Sequence, residues 1–402
     1  MTRAGSKVRI LASALVVSAV VGGGACLAGG SGAGASSYPP IPAGPIKVGM
    51  TLDLSGTYAA DGVATSHTAN AILAKYDQYF GGTIDGHKVE YDIINDGSDP
   101  TQAVTAAEQL ANDHVAAVVN TSFNPAAYDL EIPVLNHAKI LMLSDVSEEQ
   151  FQNAKAYPYF FSVSTSVPAA GKLMGEFFRS RHLDKVAVLT DGIETDTQYV
   201  DAMKASLGSG QSVVDTVTIP PGSVEVTTAL QQLRQSAPDV LVVAVSIGFG
   251  PIWQELQTIG WTPTIMTNEN VFFDGYTAIG SLAPKMYSTC ATGIAEGVTL
   301  PAKPTSTLEA IEALSGGQIP DLQDAVQESM DELLILRKVI TEDNTLDSAA
   351  LAKSIEGLHD DSFFWSGWKY HFSTSDHFGY SSGSICQVSP LGTDLIPVSV
   401  YH

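Results

Sequence analysis

VEYDIINDGSDPTQAVTAAEQLANDHVAAVVN, residues 89–120, reads as a strand, a helix and a second strand in direct succession. Val89 to Ile94 is short, rich in β-branched residues and closed by the turn formers Asp96-Gly97-Ser98. Gln102 to Asn112 brings Ala103, Ala107, Leu110 and Ala111 onto one helical face, and Ala116 to Asn120 is apolar again. Two strands joined by a helix lie parallel in one sheet, and such a sheet needs helices on both faces.

The same unit continues outward in both directions. Upstream stand a strand Ile46 to Leu52 and a helix near Ser66 to Tyr79, whose Ala69, Ile72, Leu73 and Tyr76 recur at i, i+3, i+4 and i+7. After Pro168 a second series begins: helices Ala169 to His182, Thr197 to Leu207, Val226 to Ala237 and Pro251 to Ile259, interleaved with strands Lys185 to Thr190, Val213 to Ile219, Val240 to Val245 and Thr264 to Thr267. Beyond about residue 290 the alternation stops. An amphipathic helix around Val326, Met330, Leu333 and Leu334 precedes short strands near Trp368 to Phe372, Ser384 to Val388 and Ile396 to Val400, which must pack back onto lobes already formed. A chain of 402 residues, 45% apolar, exceeds one hydrophobic core. The expectation is therefore an α/β protein of two doubly wound parallel-sheet lobes.

Residues 1–25 carry Arg3, Lys7 and Arg9, an apolar run from Ile10 to Val21, and then small residues, the order of an export signal. The run is too short for a lasting membrane span. Gly24-Ala25-Cys26 resembles the end of a bacterial lipoprotein signal, which makes Cys26 the lipidated first residue of the mature chain, although Gly23 stands where that signal has Leu. Cleavage elsewhere would simply remove Cys26. Residues 26–45, dominated by Gly, Ser, Ala and Pro, read as a flexible tether. The leader holds three of the 20 basic residues and none of the 43 acidic ones, so its removal takes the formal charge from −23 to −26. Such a surface repels nucleic acid and anionic lipid alike, leaving an acyl chain as the means of membrane attachment.

Two cysteines remain, Cys290 and Cys386, and an even pair outside the cell favours a bridge over two free thiols. No Cys or His spacing fits a zinc site, and neither a phosphate loop nor a His-based metal motif is present, so no metal or cofactor is expected. Gly379-Tyr380-Ser381-Ser382-Gly383 matches the hydrolase elbow pattern, with Asp394 and His402 following in hydrolase order. The residues after Ser381 are too few for separate strands delivering an acid and a base, so a hairpin turn is the better reading. Asp376-His377 likewise reads as a turn pair, and no catalytic residue is assigned.

Ligands of doubly wound sheets bind beyond the carboxyl ends of the strands. In the first lobe these loops are Asp53 to Gly62, with Tyr58 and Asp61; Thr121 to Pro125, with Ser122, Phe123 and Asn124; and Ser144-Asp145-Val146-Ser147-Glu148. In the second they are Asp191 to Thr195, Ser246 to Gly250 with Phe249, and Asn268-Glu269-Asn270. Together they imply a polar pocket walled by Tyr58, Phe123 and Phe249. The competing reading is that these Ser, Asn and Asp residues form turns and helix caps.

Ile46 to Gly62, Gly81-Gly82, Gly86-His87-Lys88-Val89 and Asp96-Gly97-Ser98-Asp99-Pro100-Thr101-Gln102-Ala103 together resemble the opening of the type I periplasmic binding proteins, in the leucine/isoleucine/valine-binding branch. The resemblance implies a three-strand hinge crossed near residues 163, 293 and 375. Lobe 1 would comprise 46–163 plus 294–375, and lobe 2 164–293 plus 376–402. It also sets Cys290 and Cys386 side by side in the second lobe. By the family pattern Asn124 falls where a carboxylate-binding Ser is frequent, Ser147 and Glu148 fall near an Ala-Thr pair, and Glu269 falls on the acid that holds a ligand ammonium. Thr195 and Ser246 join the ligand set from the second lobe. Asp61 and Ser246 stand where the branched-chain binders have aromatic residues, and Glu148 would set a negative charge beside a ligand carboxylate. The implied function is a monomeric, lipid-anchored solute-binding protein on the outer face of the cytoplasmic membrane. It would close over an amino acid or similar polar molecule and deliver it to the permease and ATPase subunits of an ABC importer. A ligand-sensing receptor module, or a binder of a small aromatic or amide compound, is the alternative.

Overall fold

Strand β1, Ile46–Leu52, is buried at every position but Lys47, as a strand covered on both faces must be. The hairpin β2, Thr83–Ile84, and β3, His87–Asn95, turns through Asp85 and Gly86, both at positive φ, and this Asp-Gly turn starts β3 two residues ahead of the expected Val89. Helix α1, Pro100–Asn112, follows, then β4, Ala117–Val119, helix α2, Pro125–His137, β5, Leu141–Ser144, and β6, Phe160–Thr165. The second series is helix α3, Val167–Arg181, β7, Lys185–Thr190, helix α4, Glu194–Ser206, β8, Ser212–Thr218, helix α5, Thr227–Gln235, β9, Val240–Ala244, helix α6, Phe249–Thr258, β10, Thr264–Thr267, and β11, Met286–Cys290. The tail supplies helix α7, Gln323–Asp343, helix α8, Ser348–Ile355, β12, His359–Ser362, β13, Lys369–His371, β14, Phe378–Tyr380, β15, Gly383–Val388, and β16, Leu395–Tyr401.

This computed structural model describes residues 38–402 apart from 60, 64, 67–68, 71–82, 269–277, 291–322, 363–368, 381–382, 389–394 and 402. The expected signal segment, Cys26, most of the Ser66 to Tyr79 helix, Glu269, and Ser381 and Ser382 lie outside the described residues.

Among the described residues the strands form two seven-stranded sheets, β14-β6-β5-β4-β1-β3-β2 and β16-β15-β11-β10-β9-β7-β8, and one small pair, β12-β13. Each large sheet is parallel through its centre and antiparallel only at an edge, at β2 in the first and at β15 and β16 in the second. The two-lobed α/β fold read from the sequence is therefore the fold observed. The tail returns as expected: Leu333, Ile335, Leu336, Val339 and Ile340 of α7 pack in one core with Ile46, Val48 and Met50 of β1.

The chain passes from the first sheet to the second after Thr165. A last passage falls between Tyr380 and Gly383 rather than near 375, because β14 pairs with β6 (Phe378 opposite Ser162, Tyr380 opposite Thr165) before β15 joins β11. Helix α2 was not legible as an element of its own. Pro133 within it breaks the usual signal of a helix interior, yet Asn124 caps it by accepting from the Ala126 amide at 3.1 Å, with Pro125 in the first turn.

The glycine of the Ser55-Gly56 pair has a steric cause. Gly56 sits at φ 95°, and a Cβ there would lie 2.3 Å from the Gly97 carbonyl oxygen. The loop after β1 is thereby pressed onto the loop after β3, where Ser98 Oγ accepts from the Tyr58 amide at 3.0 Å and donates to the Ser55 carbonyl at 3.1 Å. In the same motif Asp99 caps α1, accepting from the amides of Thr101 and Gln102, with Pro100 in the first turn.

Candidate functional site

The carboxyl ends of the central strands deliver acids. Asp53, directly after β1, is buried; its Oδ2 accepts from Ser122 Oγ at 3.0 Å and from the Phe123 amide at 2.7 Å. Asp96, directly after β3, accepts from the Ser98 amide at 2.9 Å, and burial with Asp53 alongside pushes its carboxyl up to about 6. Glu131 on α2 lies beneath them, accepting from Thr51 Oγ1 at 2.8 Å and from the Ser122 amide at 3.4 Å; complete burial pushes it up to about 8. On the second lobe Asp191, directly after β7, accepts from the amides of Ile193 and Ser246, each at 3.0 Å. Asp196 in the first turn of α4 accepts from Ser246 Oγ at 2.6 Å and from Asn268 Nδ2 at 3.2 Å, and burial followed by the charge of Asp191 holds its proton well above the usual carboxylate range.

The lobes meet at the loop after β5. Glu148 accepts through Oε1 from the hydroxyls of Tyr128 in its own lobe and Thr195 of the other, and those two hydroxyls are 3.1 Å apart. Its neighbours extend the contact: the Glu149 amide donates to Gln198 Oε1 at 3.3 Å, and Gln198 Nε2 donates to Gln150 Oε1 at 3.2 Å. Burial pushes Glu148 up to about 7. Tyr58 lies nearby, 8% exposed; burial first, then the charges of Asp191, Asp196, Asp53 and Asp61, raise its phenol far above the ordinary range. Carboxylates of both lobes thus act on one aromatic ring.

Measured against expectation, the loops converge but the roles divide. Tyr58, Asp61, Glu148, Thr195 and Ser246 stand at this acidic boundary. Ser122 and Ser144 are buried in local bonding, Ser122 to Asp53 and Ser144 to Thr121 at 3.0 Å and Asp145 at 3.3 Å. Asp145 acts electrostatically on the buried Glu332 of α7, and Ser147 offers its carbonyl to the Val167 amide at 3.0 Å. Asn124 is a helix cap whose Nδ2 also donates to the Ser98 carbonyl at 2.8 Å, the competing reading of that position. Phe123 is half-buried against the first core. Phe249 is no wall: it is fully buried, stacked on Trp253 at 5.6 Å in the second lobe's core, where the first turn of α6 points inward. Val146 is likewise a core residue.

Asp53, Asp191 and Asn268 belong to the loops expected to line the pocket without being singled out there, whereas Asp96, Tyr128, Glu131 and Asp196 lie outside those loops. The position directly after a β-branched strand was signal enough for Asp53 and Asp191. Nothing in the sequence marks Glu131 or Asp196, which look like ordinary helical acids. Among the described residues no cluster of His, Cys, Asp and Glu has the arrangement to hold a metal ion.

Residues 45–392 match the model of a family described as periplasmic binding protein. The chain is 24% identical over 323 residues to a Leu/Ile/Val-binding protein homolog of Brucella melitensis, covering 78% of this chain and 83% of that one. Its fold is similar to that of the branched-chain amino acid transporter substrate-binding protein LivJ of Streptococcus pneumoniae in complex with isoleucine, with a TM-score of 0.71 at 17% identity over 89% of this chain and 99% of that one. Its fold is also similar to that of an ABC transporter solute-binding protein of Rhodopseudomonas palustris in complex with benzoate, with a TM-score of 0.73 at 17% identity over 89% of this chain and 96% of that one.

Proposed function

The chain belongs to the periplasmic binding protein family, and from that premise we propose that it is the extracellular solute-binding component of an ABC importer, capturing a small polar molecule between its lobes. The relatives' named ligands, branched-chain amino acids and benzoate, bound the size of the cargo. The observation that carries the reading is the boundary at Glu148 and Thr195. Among the described residues the two lobes, each with its own core, meet there through hydroxyls and carboxyls, contacts that can part and rejoin. Ligand then favours the closed form only through contacts that span both lobes. Mass spectrometry of molecules released from the purified protein should identify a cargo, and adding it back should lower the radius of gyration in solution scattering. An unchanged scattering profile at saturation would remove the hinge mechanism.

Cys26 serves as the lipid anchor, residues 26–45 as the tether, and the protein works as a monomer on the outer face of the membrane, handing cargo to permease and ATPase subunits. Cys290 and Cys386 form a disulfide. Supporting that pairing, β11 and β15 are antiparallel neighbours, with Ser288 opposite Cys386 and Cys290 opposite Ser384 in register. Thiol labelling under denaturing, non-reducing conditions should find both blocked. Such a bridge closes a loop of nearly a hundred residues and contributes about 2 to 4 kcal/mol.

A further inference from the structure

Three of the acids at the lobe boundary, Asp53, Asp96 and Glu148, have a hydrogen-bond partner for one oxygen and none for the other. Glu148 Oε2, Asp53 Oδ1 and Asp96 Oδ2 are buried without a hydrogen-bond partner, although each residue's other oxygen accepts at least one bond. Buried carboxylate oxygens in that state are costly unless a donor arrives. The charges acting on Tyr58 are four carboxylates, two from each lobe, and those acting on Asp196 include Asp191 and Glu148. A ligand carboxylate brought here would add a further negative charge to a site already crowded with them. An ammonium does the opposite: it brings three donors and no acceptor, and its charge is attracted to the face of a phenol ring such as Tyr58.

We propose that the cleft takes an organic cation, an amine without a free carboxylate and foremost a linear diamine, held between the acids of the two lobes beside Tyr58. The proposal rests on the reading of the chain as a solute-binding protein and names the class of its cargo, the kind of amine an amino acid becomes on losing its carboxyl group. One positive end would meet Asp53, Asp61 and Asp96 on the first lobe; the other would meet Glu148, Asp191 and Asp196 at the boundary. Closure then follows from charge. Without a cation, Glu148 and Asp196 must take up protons to be buried together as the lobes approach; with one, both can stay charged and gain a counter-charge only in the closed form. The formal charge of −23 draws such a ligand toward the protein from a distance.

Calorimetry of the full chain, stripped of carried-over ligand, should compare 1,4-diaminobutane, L-leucine and benzoate. The diamine is expected to bind at least 100-fold more tightly than either of the others. At pH 7 its heat should vary with the ionisation enthalpy of the buffer, because a cation expels protons from the acids it meets. Glu148→Gln should weaken the diamine at least tenfold. Tighter binding of leucine or benzoate overturns the inference and leaves the capture function standing. Failure of all three probes also overturns it, while released-ligand mass spectrometry and scattering still judge capture on their own. Tight diamine binding without compaction upholds the charge inference and removes the hinge.

Discussion

Stability should fall by several kcal/mol as the pH rises from about 5 to about 8, the reverse of what paired surface carboxylates do. Glu131 is fully buried with one oxygen unpartnered, and burial pushes it up to about 8; Glu148 is pushed up to about 7 and Asp96 to about 6, each chiefly by burial. In the unfolded chain these groups titrate near 4 to 4.5. Between those values the native state holds protons the unfolded state has lost, so unfolding becomes easier with each step in pH. Below about pH 4 both states are protonated and the full benefit is present; above about pH 8 both are ionised and it is gone. One pKa unit corresponds to about 1.4 kcal/mol, and water penetration and relaxation reduce what a buried site delivers. Even a discounted sum over three groups is large beside a total stability of about 5 to 15 kcal/mol. Urea unfolding at pH 5, 6, 7 and 8 measures the slope. Glu131→Gln, which retains an acceptor for Thr51 and cannot ionise, should flatten its upper half and leave the variant more stable than wild type at pH 8. A midpoint constant or rising with pH would mean that these acids ionise at little cost. Saturating diamine should also flatten the slope, since bound charge replaces the protons.

The architecture was legible because it rests on local signals that agree with one another. Strand β1 runs from Ile46 to Leu52 and β10 from Thr264 to Thr267, the expected bounds, because an apolar run in a parallel strand is buried on both faces and a turn residue closes it. Helix α1 begins two residues ahead of the expected Gln102 because its boundary is set by Asp99 as a cap and Pro100 as the first residue. The site was legible only as a set of loops. Whether Asn124 bonds a ligand or caps α2 depends on where its amide points, and Phe249 reads as a pocket wall until the packing of Trp253 is known. Glu131 is hidden for a further reason: its role depends on Thr51, 80 residues earlier, and no local pattern connects the two. Asp376-His377 reads as a turn pair, and Asp376 is one, accepting from the Phe378 amide at 3.0 Å; its neighbour is something else.

His377 is fully buried, its ring stacked on Phe161 with centroids 3.9 Å apart. Nδ1 lies 2.8 Å from the Phe160 carbonyl oxygen, which can only accept, so that nitrogen carries a hydrogen; Nε2 lies 3.2 Å from Glu356 Oε1, and the His377 carbonyl accepts from the Ser162 amide at 2.9 Å. One side chain therefore ties β6 to the turn after α8 and to the start of β14. Those strands are the roots of two passages between the sheets, since Thr165 and Tyr380 are register partners and the chain leaves the first sheet just beyond each. His377→Ala would open a cavity beside Phe161 and strip the Phe160 carbonyl and Glu356 of a partner. Truncation of a large buried ring costs about 3 to 5 kcal/mol, and the orphaned acceptors place the expectation at the upper end. His377→Phe keeps the stack and loses only the polar bonds, so it should cost about 1 to 3 kcal/mol. Denaturant unfolding of the two variants separates packing from hydrogen bonding. A loss below about 1 kcal/mol for the alanine variant would show that β6 and β14 hold together by their ladder alone, and the roots of the hinge would then need no side chain to fix them.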